Sequence, residues 1–207
     1  MRKNRREILF LTELSVLTAI VLILQLGGIA LPLPFLATPV SLVLLPIVLG
    51  ALHQGPLSGG WLGVVFAAVT VIGGATGKDV FTSILLTDHP LLTILLCFAK
   101  SVLAGVVAGL LYRWLKNKNE YLALYAASIS APVVNTGIFV LGALFMSDTL
   151  NANFVPDGQS VIYFLVIGCA GWNFIFELLI NVIFAPALKR VLDVISKNKG
   201  TSAVKRA

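Results

Sequence analysis

Apolar residues fill six long runs, at about 8–28, 38–54, 57–74, 91–115, 121–147 and 161–188, and charge, glycine and proline gather between them. A helix needs about 20 apolar residues to cross a bilayer. The runs therefore predict membrane-spanning helices, the second of them short and carrying Pro46. The expected architecture is all-α: a six-transmembrane-helix bundle forming one membrane domain over residues 1–207, with 189–207 as a basic tail. The first run starts with Arg2-Lys3-Asn4-Arg5-Arg6, as a cleavable signal would. Its length and its interruption by Glu13 and Gln25 make it a span instead.

The connections differ between the two sides. On one side lie 28–35, apolar and stiffened by Pro32 and Pro34; 73–90, with a glycine-rich turn and a short helix expected at 80–86; and 147–160, with a turn at Pro156-Asp157-Gly158. On the other lie only 53–56 and 116–120. Long ordered loops on one face of a rigid bundle usually carry function.

Composition agrees: 58% of residues are hydrophobic and 12% charged, which excludes a water-soluble domain. The net charge of +6 has a direction. Of the 15 Lys and Arg, four precede the first run, Arg113, Lys116 and Lys118 flank the fourth turn, and Lys189, Arg190, Lys197, Lys199, Lys205 and Arg206 follow the last run. Only Lys78 lies in a loop on the opposite side. By the positive-inside rule both termini are cytoplasmic. The charge thus reports topology in a lipid bilayer and does not argue for nucleic acid. Cys97 and Cys169 fall inside runs and read as small buried apolar residues. His53 and His89 fall on opposite sides and cannot share a metal, so no metal site is expected.

Polar groups inside the runs change the picture most. Lys100 stands within 91–115, and a charge at such depth costs about 2.5–3.5 kcal/mol on insertion scales. At about 1.5 Å per residue, Lys100 lies about 14 Å from the loop-rich side, Asn135 about 18 Å, and Trp172 and Asn173 about 17–18 Å. Asn173, Glu177 and Asn181 share one helix face. Such a face should point into the bundle or a cavity. The expected site is a small-molecule pocket built from Lys100, Asn135, Trp172 and Asn173. Glu177 is about a turn deeper, and Lys78 comes from the loop at the mouth. A structural ion pair between Lys100 and Glu177 is the alternative. Pro132 and Pro46 are expected to free the carbonyls of Ser128 and Leu42. Small residues recur at helix-packing spacing: Gly59, Gly63 and Ala67; Ser101, Gly105 and Gly109; Ser15 and Ala19. The first two rows read as packing within the bundle.

Enzyme motifs fail. Gly73-Gly74-Ala75-Thr76-Gly77-Lys78 is one residue short of a phosphate loop and is followed by Asp79. Gly55-Pro56-Leu57-Ser58-Gly59 displaces the serine of a nucleophile elbow.

Three segments resemble those of the substrate-binding S components of energy-coupling factor (ECF) vitamin transporters. The stretch 42–63, with Pro46, Gly55-Pro56 and Gly59, is similar to that family's helix-Pro-helix-Gly-Pro-x-x-Gly hairpin. The stretch 100–112, Lys100 followed by Gly105 and Gly109, is similar to its basic-residue-then-glycine fourth helix. Glu13-Leu14-Ser15-Val16-Leu17-Thr18-Ala19 is a weaker likeness near the start. The resemblance covers about residues 8–190. It implies six helices with both termini inside a bacterial plasma membrane, and a vitamin site formed toward the outside by helices 4–6 and the loops. It also implies a docking motif in helix one, Ser15 and Ala19, for a transmembrane coupling subunit; Ser15 stands where the family typically has alanine. Two partner ATPases would use ATP, and this chain would need no cofactor. Among vitamins, Lys100 favours a carboxylate or another anionic group, and the scarcity of deep aromatics beyond Trp172, Phe174 and Phe176 disfavours a large stacked ring, so that a small hydroxylated acid such as pantothenate fits best. Gly171-Trp172-Asn173-Phe174 is similar to pantothenate-type S components. Cobalamin, folate, riboflavin and pyridoxine stay open, as does a stand-alone channel or facilitator.

Overall fold

The chain runs through the bundle as a series of helices whose ends are marked by the expected residues. The computed structural model describes residues 2–30 and 42–204. In chain order these form α1 (Arg2–Ala30), α2 (Leu44–Gln54), α3 (Pro56–Ala75), α4 (Val80–Asp88), α5 (Pro90–Leu115), α6 (Glu120–Ala143) and α7 (Ser147–Asn153). A last continuous run joins α8 (Val161–Tyr163), a π-helical stretch (Phe164–Gly171) and α9 (Trp172–Val204). Gly55, at φ 106°, makes the turn into α3, and Pro56 and Pro90 start α3 and α5, where a missing N–H is harmless. The Asn119 side chain caps α6 by accepting from the Tyr121 and Leu122 amides.

Five helical segments are long and apolar enough to cross a membrane, at Glu7–Gly27, Pro56–Ala75, Pro90–Leu115, Glu120–Asn153 and Val161–Ile195. The chain is a multi-pass membrane protein, but the second of the six expected spans is reduced among the described residues. Of 38–54, only the part from Leu42 is described, and α2 has 11 residues. At 1.5 Å per residue that is about 16 Å, roughly half of a hydrocarbon core of about 30 Å. Pro46 is also corrected. It sits in the first turn of α2, and the Leu42 carbonyl accepts from the Leu45 amide at 3.2 Å, so no carbonyl is freed there.

The two glycine rows meet each other. A Cβ on Gly59 would stand 2.6 Å from the Gly105 carbonyl oxygen, and one on Gly63 would collide with the Ser101 carbonyl. Gly109 abuts the backbone of Pro56. Lipid gives helices no hydrophobic reason to associate, so this close backbone approach, rich in dispersion contacts, is what joins α3 to α5. The α1 helix is peripheral. Leu17, Val21 and Gln25 form its buried row, while Ser15, Val16, Ala19 and Ile23 are exposed. Near the start of α6, Lys189 bridges Glu120 at 2.9 Å and Asp193 at 3.2 Å, fastening α9 to α6.

Candidate functional site

A cavity opens among α1, α3, α4, α5, α6 and the last helical run, with about 860 Å³ of space when the open solvent at its mouth is counted. Helical spacing explains its walls. From α5 come Thr93, Cys97 and Lys100; from α6, Asn135 and, a turn later, Phe139; from the last run, Cys169, Asn173 and Glu177 at successive turns. The short helix expected at 80–86 forms as α4 and walls the cavity with Phe81 and Thr82. Asp79 caps α4, its carboxylate accepting from the Thr82 amide at 3.2 Å and the Thr82 hydroxyl at 2.6 Å.

Four of the expected residues converge here: Lys100, Asn135, Asn173 and Glu177. Trp172 does not. It is 60% exposed and lies against Phe176 on the outer surface, ring centroids 6.3 Å apart. Adjacent helical residues point about 100° apart, so with Asn173 turned inward Trp172 is carried out. Lys78 is exposed in the turn after α3 and does not line the cavity. The surrounding amides of that glycine-rich turn face inward to the chain: Lys78 and Asp79 donate to the Gly73 carbonyl and Gly77 to that of Gly74. They close α3 and cannot cradle a phosphate. The segment 28–35 lies, beyond Ala30, outside the described residues.

The expectation of few deep aromatics is corrected as well. Phe66, Phe81 and Phe139 line the cavity. The Lys100 ammonium stands 5.8 Å from the Phe66 ring centroid and 5.3 Å from that of Phe139. Ring faces stabilise a cation without neutralising it. Among the described residues Lys100 enters no ion pair. Among the described residues, Asn135 Oδ1 and Asn173 Oδ1 are buried without a hydrogen-bond partner, and Asn135 is 6% exposed. A buried acceptor without a donor costs about 1–3 kcal/mol, so each of these oxygens favours an N–H or O–H brought to it. Glu177 and Asn181 are buried below, the Asn181 amide donating to the Glu177 backbone carbonyl at 2.8 Å.

Gln25 and Thr70 also line the cavity, and neither was singled out for the site from the sequence. The Gln25 amide donates to Thr70 Oγ1 at 3.1 Å. The signal for Gln25 was present, as a polar residue inside the first apolar run. Phe139 was legible too, four residues after Asn135. An aromatic cluster seals one side: Phe81 meets Phe154 at 4.8 Å and Phe139 at 5.9 Å between centroids. There the Thr149 hydroxyl of α7 donates to Asp88 of α4 at 2.8 Å.

Residues 9–189 match the family model described as "ECF transporter, substrate-specific component". The chain belongs to this family. It is therefore a transport subunit rather than an enzyme. Over 215 aligned residues, covering 97% of this chain and 98% of the relative, it is 23% identical to the pantothenate transporter PanT of Leuconostoc mesenteroides subsp. mesenteroides.

Proposed function

We propose that this substrate-specific component binds pantothenate and delivers it to an ATP-driven import complex. One observation carries the reading: a half-buried ammonium outside any ion pair shares a cavity with two carboxamide oxygens, those of Asn135 and Asn173, that likewise have no hydrogen-bond partner among the described residues. Such a cavity complements a small carboxylate that also bears N–H or O–H donors. Pantothenate has one carboxylate, one secondary amide and two hydroxyls. The name of the Leuconostoc relative points the same way.

The complex is inferred from the family and from α1. Its Ser15 and Ala19 lie exposed one turn apart, so a second helix could approach the backbone there. The partners are a transmembrane coupling subunit and two cytoplasmic ATPases, which use ATP. Both termini face the cytoplasm, where the basic residues cluster, and the cavity faces outward across a bacterial plasma membrane. Calorimetry on the purified chain tests the ligand. Saturable binding of pantothenate is expected, with much weaker binding of pantothenol, in which an alcohol replaces the carboxylate. Equal affinities, or binding of a different vitamin alone, would overturn the assignment.

A further inference from the structure

We infer that Gln25 and Thr70 form a neutral hydrogen-bonding subsite that holds a hydroxyl of the ligand while Lys100 holds its carboxylate; the inference rests on the pantothenate reading. The α1 helix supplies one buried row, Leu17, Val21 and Gln25, flanked by half-buried Leu14, Thr18 and Leu24 on a span whose other positions are mostly exposed. A leucine at the third position would continue that packing. A carboxamide there must be hydrogen-bonded to be tolerated. Gln25 is 6% exposed and lines the cavity.

The hydrogen-bond chain fixes how this amide is turned. The Thr70 hydroxyl donates its proton to the Phe66 carbonyl at 3.0 Å. Its oxygen can then only accept, so the Gln25 nitrogen must face it, as observed at 3.1 Å. Among the described residues no other hydrogen bond engages the Gln25 side chain, which leaves its carbonyl oxygen and second N–H, one acceptor and one donor. A hydroxyl both donates and accepts at a single atom and matches that pair. A trans secondary amide points its N–H and C=O in opposite directions, so one carboxamide cannot serve both.

Position agrees with chemistry. Phe66, whose ring lies 5.8 Å from the Lys100 ammonium, is one turn before Thr70 on α3. Thr70 thus stands about 6 Å further along α3 than the residue whose ring faces the cation. A ligand with a carboxylate at one end and a hydroxyl several bonds away spans that offset.

The test compares ligands as well as variants. Affinities for pantothenate and for its two deoxy analogues, each lacking one hydroxyl, are measured on the full chain for wild type, Gln25→Leu and Thr70→Val. Wild type should prefer pantothenate over at least one deoxy analogue. In Gln25→Leu that preference should vanish, because affinity for pantothenate falls roughly 3–10-fold while affinity for that analogue holds. Thr70→Val, which unmoors the amide, should reduce the preference. If Gln25→Leu is not monodisperse, Thr70→Val is judged by the same ratio. A parallel loss for all three ligands marks a structural role and overturns the subsite, as does an unchanged preference. Wild type that binds no pantothenate overturns the ligand reading and the subsite with it, whereas binding with unaltered preference in the variants overturns the subsite alone.

Discussion

An ammonium group survives inside this bundle because its surroundings are graded. Two phenylalanine faces flank Lys100, and the oxygens of Asn135 and Asn173 line the same cavity. Lys100→Met keeps the length of the chain and removes the charge. Pantothenate affinity should fall about 10–100-fold, the worth of a charge-assisted hydrogen bond at about 1.5–3 kcal/mol. Thermal stability without ligand should not fall, since the cost of desolvating the ammonium is gone. If Lys100 instead serves to balance Glu177, the variant should lose about 3–5 kcal/mol of stability and Glu177→Gln should restore it. Calorimetry and thermal melts of the single and double variants separate the two. At this scale the sequence was legible where depth decided. Counting rise along each helix brought Lys100, Asn135 and Asn173 together. It misjudged Trp172, because depth says nothing of rotation: residues 172 and 173 lie at one level but on different faces.

Helices pair here through rows of small residues, and the rows have two fates. Those of α3 and α5 are consumed against each other, backbone on backbone. The row on α1, Ser15 and Ala19, is exposed. Substitutions should therefore diverge. Gly63→Val places a branched side chain against the Ser101 carbonyl, which cannot yield as a flexible side chain would. Overpacking of about 1–3 kcal/mol or more should appear as a lower melting temperature and poor yield of monodisperse protein. Ser15→Leu with Ala19→Leu should leave melting and vitamin binding unchanged and abolish co-purification of the ATPases. Recovery of those ATPases at wild-type level would refute the docking face. The same spacing in sequence cannot tell these fates apart, because what differs is whether another helix lies opposite. The π-helical stretch before α9 was equally hidden. Its residues are apolar like their neighbours, and the change from i→i+4 to i→i+5 bonding arises where the helix passes the cavity.

As a whole, the molecule offers a binding cavity in a membrane bundle, and its family assigns it the substrate-specific role in a larger transporter. In proteoliposomes this chain alone should bind pantothenate without accumulating it, and accumulation should require the coupling subunit, the ATPases and ATP. Accumulation by the chain alone without ATP would mark a stand-alone facilitator. The sequence by itself determined the helical membrane class, the connection at Gly55-Pro56, the depth of Lys100 and Asn135, and the polar row of Asn173, Glu177 and Asn181 on α9. These follow from local rules: bilayer thickness sets run length, backbone chemistry sets caps, and the 3.6-residue turn sets which positions share a face. Tertiary structure alone decided that Trp172 faces out, and that Gln25, Thr70 and Phe66 join Lys100 around one cavity. The physical reason is that a helix's rotation about its own axis, and the neighbour it meets, are fixed by close packing between segments distant in the chain, which no periodicity within one segment encodes.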